Sequence, residues 1–392
     1  MKNYELRMKK VVPVIFCFIG ALAFGQDIVY IKTFAHLKIE AVTFSVEKST
    51  FTVFGDEKPI LKNNNNTILK LTCINDSVEV KSFETVYGKF KTVRLADDAT
   101  GGEMKLKLIS PDRKQRVYPD NYIVSTEAGH LKLLNEVKLD NYIAGVVEAE
   151  SGTRSTPEFY KVQAILARTF ALAHINKHLA EGFSLCDQVH CQAYYGKPRF
   201  EGITEMVLDT KGKVVVDENL NLIVAAFHSN SGGQTANSED VWGTRTSYLR
   251  SVNDTFSTRM PNYKWERKMA IDDWLSYLKL KHKYPIDEPN AKELALNFKQ
   301  DSRKIYLEAS NVKVPLKNVR QDLQLKSTYF NIYKDGDSVV FEGKGYGHSL
   351  GMSQEGAMRM TKLGYSYNDV LNFYYRNIQI IDMRKLSFFR DE

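Results

Sequence analysis

The segment Thr156-Pro-Glu-Phe-Tyr-Lys-Val-Gln-Ala-Ile-Leu-Ala-Arg-Thr-Phe-Ala-Leu-Ala173 predicts an amphipathic helix. Thr156 can cap its start, Pro157 suits the first helical position, and Glu158 suits the positive end of the helix dipole. Apolar residues at three- and four-residue spacing predict one buried face: Phe159, Val162, Leu166, Phe170 and Ala173. We expect the helix to stop at Gly182.

Short alternating runs of apolar and polar residues precede this helix. Ile68–Ile74 and Glu103–Ile109 are examples, and turn-like segments separate them. No cluster of histidine, glutamate or cysteine accompanies these runs. The pattern predicts a small β-rich accessory domain over residues 26–130 and, with the helix that follows, a protein of the α+β class.

Strand-like segments return after the helix, at residues 213–217, 222–227 and 305–342. Residues 263–300 are more charged and carry an amphipathic run, which predicts a helical insertion. We therefore expect a mixed α/β domain over residues 131–385 that contains this insertion.

The N-terminus has the pattern of a secretory signal peptide at residues 1–25. Lys2, Arg7, Lys9 and Lys10 precede an apolar run of about fourteen residues that ends in small residues. The run is shorter than the roughly twenty residues of a membrane-spanning helix. We expect an extracytoplasmic protein, periplasmic or secreted, with no stable membrane span after cleavage.

Cleavage would lower the formal charge of the chain from +7 to +4. This small excess is not the signature of a nucleic-acid-binding protein. It is compatible with an acidic polymer as the partner, although solvated lysines explain it equally well.

A glycine-rich stretch near the C-terminus reads Gly343-Lys-Gly-Tyr-Gly-His-Ser-Leu-Gly-Met-Ser-Gln-Glu-Gly-Ala357. Glycines at alternate positions allow tight turns and close approach to a ligand, although a plain β-bulge also uses them. His348 lies in its middle, and histidine can exchange protons near neutral pH. The stretch is a candidate wall of a functional site.

Several segments, in order, resemble the SpoIID/LytB family of bacterial cell-wall proteins. The similar segments are Asp140–Glu150, Glu158–Ala171, His228–Thr235, Val241–Gly243 with Tyr248–Val252, Gly343–Ala357 and Tyr367–Tyr375. The resemblance covers about residues 131–385. Ser151-Gly152 replaces the Met-Pro common in the family, and Ser349 replaces a glycine, which is costly if that residue has positive φ.

The resemblance implies a lytic transglycosylase that cleaves the glycan strands of peptidoglycan, in SpoIID strands stripped of stem peptides, and leaves anhydromuramic ends. Glu150 matches the catalytic glutamate of the family, which ends a strand there, and would act as general acid and base. Such a role requires a raised pKa, which partial burial provides. Glu148, two residues earlier in the expected strand, is the alternative.

The same comparison suggests residues that contact the glycan. Lys161 and Arg168, seven residues apart on the predicted helix, are expected to point at the segment of Glu150 and bind the lactyl carboxylate of muramic acid, with surface exposure as the plainer alternative. Polar side chains of the later motifs are the remaining candidates: Ser229, Ser231, Gln234, His348, Ser353 and Gln354.

Cys186, His190 and Cys191 form a second candidate site. With His178, or else His174, they supply four nitrogen and sulfur ligands for a tetrahedral structural zinc ion. Some SpoIID relatives are similar here. A disulfide between the two cysteines is the alternative outside the cytoplasm.

Two other functions remain open. The LytB branch suggests a non-catalytic glycan-binding protein that enhances a cell-wall amidase, which would then be a partner. The cysteine and histidine cluster could instead be the catalytic centre of a zinc hydrolase.

Overall fold

The computed structural model describes residues 28–63 and 67–388, so the predicted signal peptide at residues 1–25 lies outside the described residues. None of the described helices combines the length and apolar character needed to cross a membrane.

The N-terminal unit is built from antiparallel strands, as the alternating sequence predicts. Their bounds are β1 Ile28–Lys32, β2 Ala41–Lys48, β3 Phe51–Gly55, β4 Lys58–Asn63, β5 Ile68–Ile74, β6 Ser77–Lys81, β7 Val86–Phe90, β8 Thr92–Asp97, β9 Glu103–Ser110, β10 Arg116–Pro119, β11 Asn121–Glu127 and β12 His130–Lys138. One sheet has the order β13-β1-β12-β11-β8-β3-β4, where β13 is Leu185–Cys186, and another has the order β10-β9-β2-β5-β6-β7.

Both sheets contribute to one hydrophobic core that also includes the first helices. Val53 comes from one sheet, Phe44 from the other, and Tyr142 and Phe159 from the helices. β13, which follows the helices in sequence, pairs parallel to β1. Strand β12 starts at the predicted domain boundary near residue 130 and leads directly into the first helix, so the two predicted domains are packed as one body around a shared core.

The segment expected to be a strand ending at the glutamate is a helix, α1 (Leu139–Ser151). Its buried residues Tyr142, Ile143, Val146 and Val147 follow helical spacing, which the sequence also allows. The helix ends at Gly152, whose φ is 66°. The expectation that Glu148 and Glu150 point the same way along a strand was therefore wrong.

Helix α2 (Pro157–Ala173) begins as predicted, because the Thr156 side chain accepts a hydrogen bond from the Phe159 amide. It ends at Ala173 rather than at Gly182, which instead ends the short 3₁₀ turn Leu179–Glu181. Helix α3 (Glu201–Asp209) packs beside α1 and α2.

The predicted insertion is larger than expected and is not purely helical. It comprises β16 Lys264–Ala270, α5 Ile271–His282, α6 Pro289–Leu296, β17 Tyr306–Ala309, β18 Val312–Pro315, α7 Leu316–Asp322, β19 Phe330–Asp335 and β20 Ser338–Lys344. β16 pairs with β20, so the strands at either end of the segment close it into a unit with its own hydrophobic core.

The remaining elements lie between α3 and the inserted unit or follow that unit in the chain. They are β14 Lys213–Val216, β15 Phe227–His228, α4 Ser238–Trp242, a 3₁₀ helix Thr255–Arg259, β21 Met352–Ser353, α8 Gln354–Lys362, α9 Tyr367–Tyr374, β22 Gln379–Asp382 and α10 Met383–Phe388. The parallel pair β15 and β21 joins the two later sequence motifs. The predicted α+β class is confirmed.

Candidate functional site

Glu150 lies in the last turn of α1 and is partly buried. Its Oε1 accepts a hydrogen bond from the Ala193 amide at 3.4 Å. Burial raises the pKa of Glu150, and the Ala193 hydrogen bond opposes that rise without cancelling it. The carboxyl group therefore has the environment that an acid catalyst needs.

The closing motif reaches the same helix end. Gln354 Nε2 donates a hydrogen bond to the Glu150 carbonyl at 3.3 Å. Of the six polar residues expected to contact glycan, Gln354 is the one for which the structure records a direct contact with Glu150, and it holds the Glu150 backbone in place.

Glu148 faces a different set of partners. Its carboxylate accepts hydrogen bonds from the Arg199 and Phe200 amides at 2.8 and 3.1 Å. It also forms an ion pair with the Arg199 side chain at 3.3 Å. These donors occupy the carboxylate oxygens of Glu148, which therefore serve as hydrogen-bond acceptors. Glu150, with one long amide contact, is the better candidate for an acid.

A groove of about 690 Å³ runs along the C-terminal end of α1. The N-terminal unit supplies Arg116 to one wall, and α1 supplies Glu148 and Gly152 to another. Tyr195 is half exposed in the groove, and the Arg116 guanidinium lies 4.7 Å from its ring centre. Glu150 follows the lining residue Ala149 directly and lies two residues before the lining residue Gly152, but it is not itself among the lining residues.

Close packing of α1 fixes one side of this groove. A side chain on Gly145 would place its Cβ 2.2 Å from the Gly196 carbonyl oxygen, so only glycine allows this approach. The segment that carries Ala193 and Tyr195 is thereby held against α1. The sequence did not predict a place for Arg116, Tyr195 or Ala193 at this site, because none of them belongs to a motif that suggests chemistry.

The expectation that Arg168 binds substrate was wrong. The side chain is fully buried, and its guanidinium donates to the Thr210, Lys213 and Val207 carbonyls and pairs with Asp140 at 2.9 Å. It joins α1, α2 and the end of α3.

Lys161 does not point at Glu150 either. Its ammonium pairs with Glu158 at 3.0 Å and with Asp209 at 2.7 Å. The helical spacing correctly placed Lys161 and Arg168 on one face of α2, but α3 covers that face.

Ser231 and Ser353 were expected to contact glycan, yet both are fully buried. Ser231 Oγ donates to the Asp254 carboxylate at 2.7 Å, and Ser353 Oγ accepts from the Gly356 amide at the start of α8. These expectations were wrong, because both hydroxyls are buried and used within the protein. Ser353 Oγ also accepts a hydrogen bond from the Ser231 amide at 3.3 Å, which links the two motifs.

A second buried carboxylate strengthens this link. Glu355 accepts hydrogen bonds from Asn230 Nδ2 at 2.7 Å and Asn262 Nδ2 at 2.8 Å. The roles of Asp254 and Glu355 were not predicted, because a buried structural carboxylate looks the same in sequence as a solvated one.

Ser229 and Gln234 are partly buried, and substrate contact by either stays a prediction. Asn262 Nδ2 donates to Ser229 Oγ at 3.3 Å, and Gln234 Nε2 donates to Ser251 Oγ at 3.3 Å.

His348 borders a different cavity from the groove at α1, and the two share no lining residue. Burial, aided by the charge of Arg320, lowers the pKa of His348 to about 4. Its Nδ1 accepts a hydrogen bond from the Leu350 amide at 3.1 Å. The ring is therefore neutral at pH 7 and is not suited to exchange protons there; a common cleft with Glu150 stays a prediction.

Ser349 has the positive φ that is costly for a residue other than glycine. Its φ is 68°, it is buried, and its hydroxyl has no hydrogen-bond partner among the described residues. The glycine usual at this position would avoid both costs.

The four predicted zinc ligands come together. Ligand atoms of His178, Cys186, His190 and Cys191 all lie within 4.8 Å of one another. His178 Nδ1 contacts Glu181 Oε1 at 2.5 Å, which leaves Nε2 facing Cys191 Sγ at 3.5 Å. Such a carboxylate contact commonly orients a metal-binding histidine.

One of the two alternatives for this cluster does not match the described geometry. His174 stacks on Phe170 and bonds to its carbonyl, outside the cluster. Cys186 and Cys191 are free thiols whose sulfur atoms lie within 4.8 Å of each other, so a disulfide between them stays the alternative prediction.

Comparisons with known proteins place this geometry in context. Residues 127–216 match the model of the SpoIID family, described as stage II sporulation protein. The stage II sporulation protein D of Bacillus subtilis (strain 168) is 28% identical over 264 residues, which cover 63% of this chain and 75% of that protein. The amidase enhancer of the same organism is 26% identical over 283 residues, which cover 59% of this chain and 39% of that protein.

Proposed function

We propose, because the chain belongs to the SpoIID/LytB family, that it has a cell-wall role as a peptidoglycan lytic transglycosylase that cleaves glycan strands. The observation that carries this proposal is Glu150, a partly buried carboxyl group with a raised pKa beside a groove at the end of α1.

A single carboxyl group can complete this reaction. Glu150 gives its proton to the glycosidic oxygen as the bond from that oxygen to the anomeric carbon breaks. This anomeric carbon belongs to a muramic acid. The C6 hydroxyl of that muramic acid then attacks the anomeric carbon, and the hydroxyl proton returns to Glu150. The products are a free hydroxyl on one sugar and a 1,6-anhydro ring on the other, and no water is consumed.

The surrounding residues support this cycle. The Ala193 amide can stabilise the carboxylate when Glu150 is ionised, and Gln354 fixes the backbone that carries it. Tyr195 and Arg116 supply an aromatic face and a cation along the groove, which suit a sugar that carries a carboxylate.

The test is to incubate the purified protein with denuded glycan strands and to detect anhydromuramic ends by mass spectrometry. The wild type should produce them, and Glu150→Gln should not. Peptide-bearing strands run in parallel establish which substrate is preferred.

A second candidate is a glycan-binding protein that enhances a cell-wall amidase. The similarity to the amidase enhancer supports it. Strand binding that is equal in wild type and Glu150→Gln, stimulation of an added amidase by both, and no anhydromuramic product from either would favour this function.

We also propose a structural zinc ion at His178, Cys186, His190 and Cys191. Two thiols and two imidazoles are a donor set that zinc prefers, and all four ligands come from the protein, which leaves no position for substrate. Bound zinc would supply a cross-link within the loop. The loop continues from Cys191 to Ala193, whose amide contacts Glu150.

The zinc hydrolase alternative predicts a different result. Chelation would then abolish cleavage while the fold persists, and Glu150→Gln would stay active. Under the structural proposal, Glu150→Gln loses activity with zinc still bound.

The cellular location follows from the same proposal. A protein that acts on peptidoglycan works outside the cytoplasm, which agrees with the signal peptide predicted for residues 1–25.

A further inference from the structure

A cavity of about 210 Å³ lies where the inserted unit meets the later motifs. Its walls are formed by helix α4, helix α7, the segment at residues 303–305 and His348. The cavity therefore combines one residue of the glycine-rich stretch, His348, with residues of the insertion, for which the sequence predicted no function.

Cations dominate this cavity. Its charged lining residues are Arg303, Lys304, Lys317, Arg320 and Asp240. Among the residues that the structure describes, none of the four cations makes an ion pair with a carboxylate. Asp240 is the acidic residue among those that line the cavity, and it accepts a hydrogen bond from Asn237 Nδ2 at 3.1 Å.

The two guanidinium groups are partly withdrawn from water but contact neutral partners. Arg303 donates from Nε to the Gln234 carbonyl at 2.7 Å and from Nη2 to the Ser231 carbonyl. Arg320 donates to the Lys326 carbonyl at 3.3 Å. Burial lowers the pKa of Arg303 to about 10 and also lowers the pKa of Arg320. A desolvated cation without a counter-charge is costly, so a bound anion would relieve this cost.

An aromatic side chain lies beside these cations. Trp242 is about half exposed, and its ring centre is 6.2 Å from that of His348. A flat apolar face next to several cations suits an organic anion with a ring or acyl group better than a bare inorganic ion.

The cavity is connected to the proposed catalytic residue by one short segment. Residue 348 lines it, and six residues later Gln354 contacts the Glu150 carbonyl. Six residue steps span at most roughly 22 Å. One long polymer can therefore reach both places.

We propose that Arg303, Lys304, Lys317, Arg320 and Trp242, named here the basic pocket, bind a carboxylate of a peptidoglycan strand whose scissile bond lies at Glu150. The carboxylate comes from the lactyl group of muramic acid or from a stem peptide. This inference rests on the proposed function. It also assigns carboxylate binding to the insertion, since Lys161 and Arg168 are occupied elsewhere.

The test measures equilibrium binding in a Glu150→Gln background, so that turnover does not interfere. The ligands are denuded strands, peptide-bearing strands and chitin oligosaccharides of matched length, which lack carboxylates. The variant Lys317→Gln/Arg320→Gln should weaken binding of carboxylate-bearing strands about tenfold and leave chitin binding unchanged. A loss with denuded strands identifies the lactyl group, and a loss confined to peptide-bearing strands identifies the stem peptide.

Lys313→Gln/Lys334→Gln is the matched control, because it removes the same charge from exposed positions of the inserted unit outside the pocket. It should bind every ligand like the parent. Unfolding midpoints equal to that of the parent show that both double variants fold.

Unchanged affinity of the pocket variant for all carboxylate-bearing strands would overturn the inference. Equal losses for chitin, or no strand binding by the parent, would overturn it as well. Cleavage assays with Glu150 present separate the two claims. Cleavage with an unchanged KM in the pocket variant rejects the pocket alone, whereas pocket-dependent binding without cleavage rejects the transglycosylase alone.

Discussion

Glu150 is the residue whose protonation decides the proposed chemistry. Because burial raises its folded pKa above the ordinary value of 4.5, the native state binds this proton more tightly than the unfolded chain. The resulting stabilisation is fully present below pH about 4.5 and is lost as the pH rises through the folded pKa.

Glu150→Gln removes this titration while retaining an oxygen that can accept from the Ala193 amide. The free energy of unfolding of the variant, relative to wild type, should increase between pH 4 and pH 7, by about 1.4 kcal/mol for each unit by which the folded pKa is raised. Urea denaturation at both pH values measures it. If the free energies of unfolding of the variant and the wild type differed by the same amount at pH 4 and pH 7, this result would contradict the raised pKa.

Ser349 carries a cost that a glycine would avoid. Ser349→Gly removes the strain of a Cβ at φ 68° and an unpartnered buried hydroxyl, against a greater loss of backbone entropy. We expect a net stabilisation of about 1 kcal/mol, measured by chemical denaturation.

Ser349→Ala is the control, since it removes the hydroxyl but keeps the Cβ. It should lie between wild type and Ser349→Gly in stability. An alanine variant more stable than the glycine variant would show that the backbone is not strained.

At the scale of elements, α1 and α2 depend on the buried pair Arg168 and Asp140. Asp140→Asn leaves a fully buried guanidinium without its carboxylate partner at 2.9 Å. We expect a loss of about 3 kcal/mol in the free energy of unfolding, measured by denaturation.

Asp209→Asn is the matched change at an exposed carboxylate, which pairs with Lys161 at 2.7 Å. Its effect should be much smaller, because water already solvates this pair. Similar losses from the two variants would show that Arg168 has another counter-charge.

The loop that contains Cys186 and Cys191 gives the next prediction. The protein should purify with about one zinc ion per chain, and Cys186→Ser should lose the metal and lower the unfolding temperature. Elemental analysis and thermal unfolding measure this. Cys73→Ser should keep the metal, because Cys73 lies outside the cluster. A disulfide between Cys186 and Cys191 in the purified protein would contradict the zinc proposal.

Local signals in the sequence predicted the cap at Thr156 and the proximity of the four residues around Cys186. Both features involve residues close together in the chain, so their spacing carries the information. Helix α1 was mistaken for a strand because its continuous apolar run fits either structure.

For the whole molecule, the sequence predicted the α+β class but not which surfaces meet. Helical spacing placed Lys161 and Arg168 on one face, yet it could not show that α3 covers that face. In the same way, the serines of the later motifs were read as sugar contacts although Ser231 and Ser353 hold a buried network. The wall that Arg116 contributes depends on contacts between distant segments, which no local pattern encodes.

The proposed function depends on cleavage of glycan strands by Glu150. Mass spectrometry of denuded strands after incubation with the wild type or with Glu150→Gln tests this cleavage. We expect anhydromuramic ends from the wild type and at least a hundredfold fewer from the variant, which still binds the strands. Equal yields from both proteins, or no anhydromuramic ends from either, would contradict it.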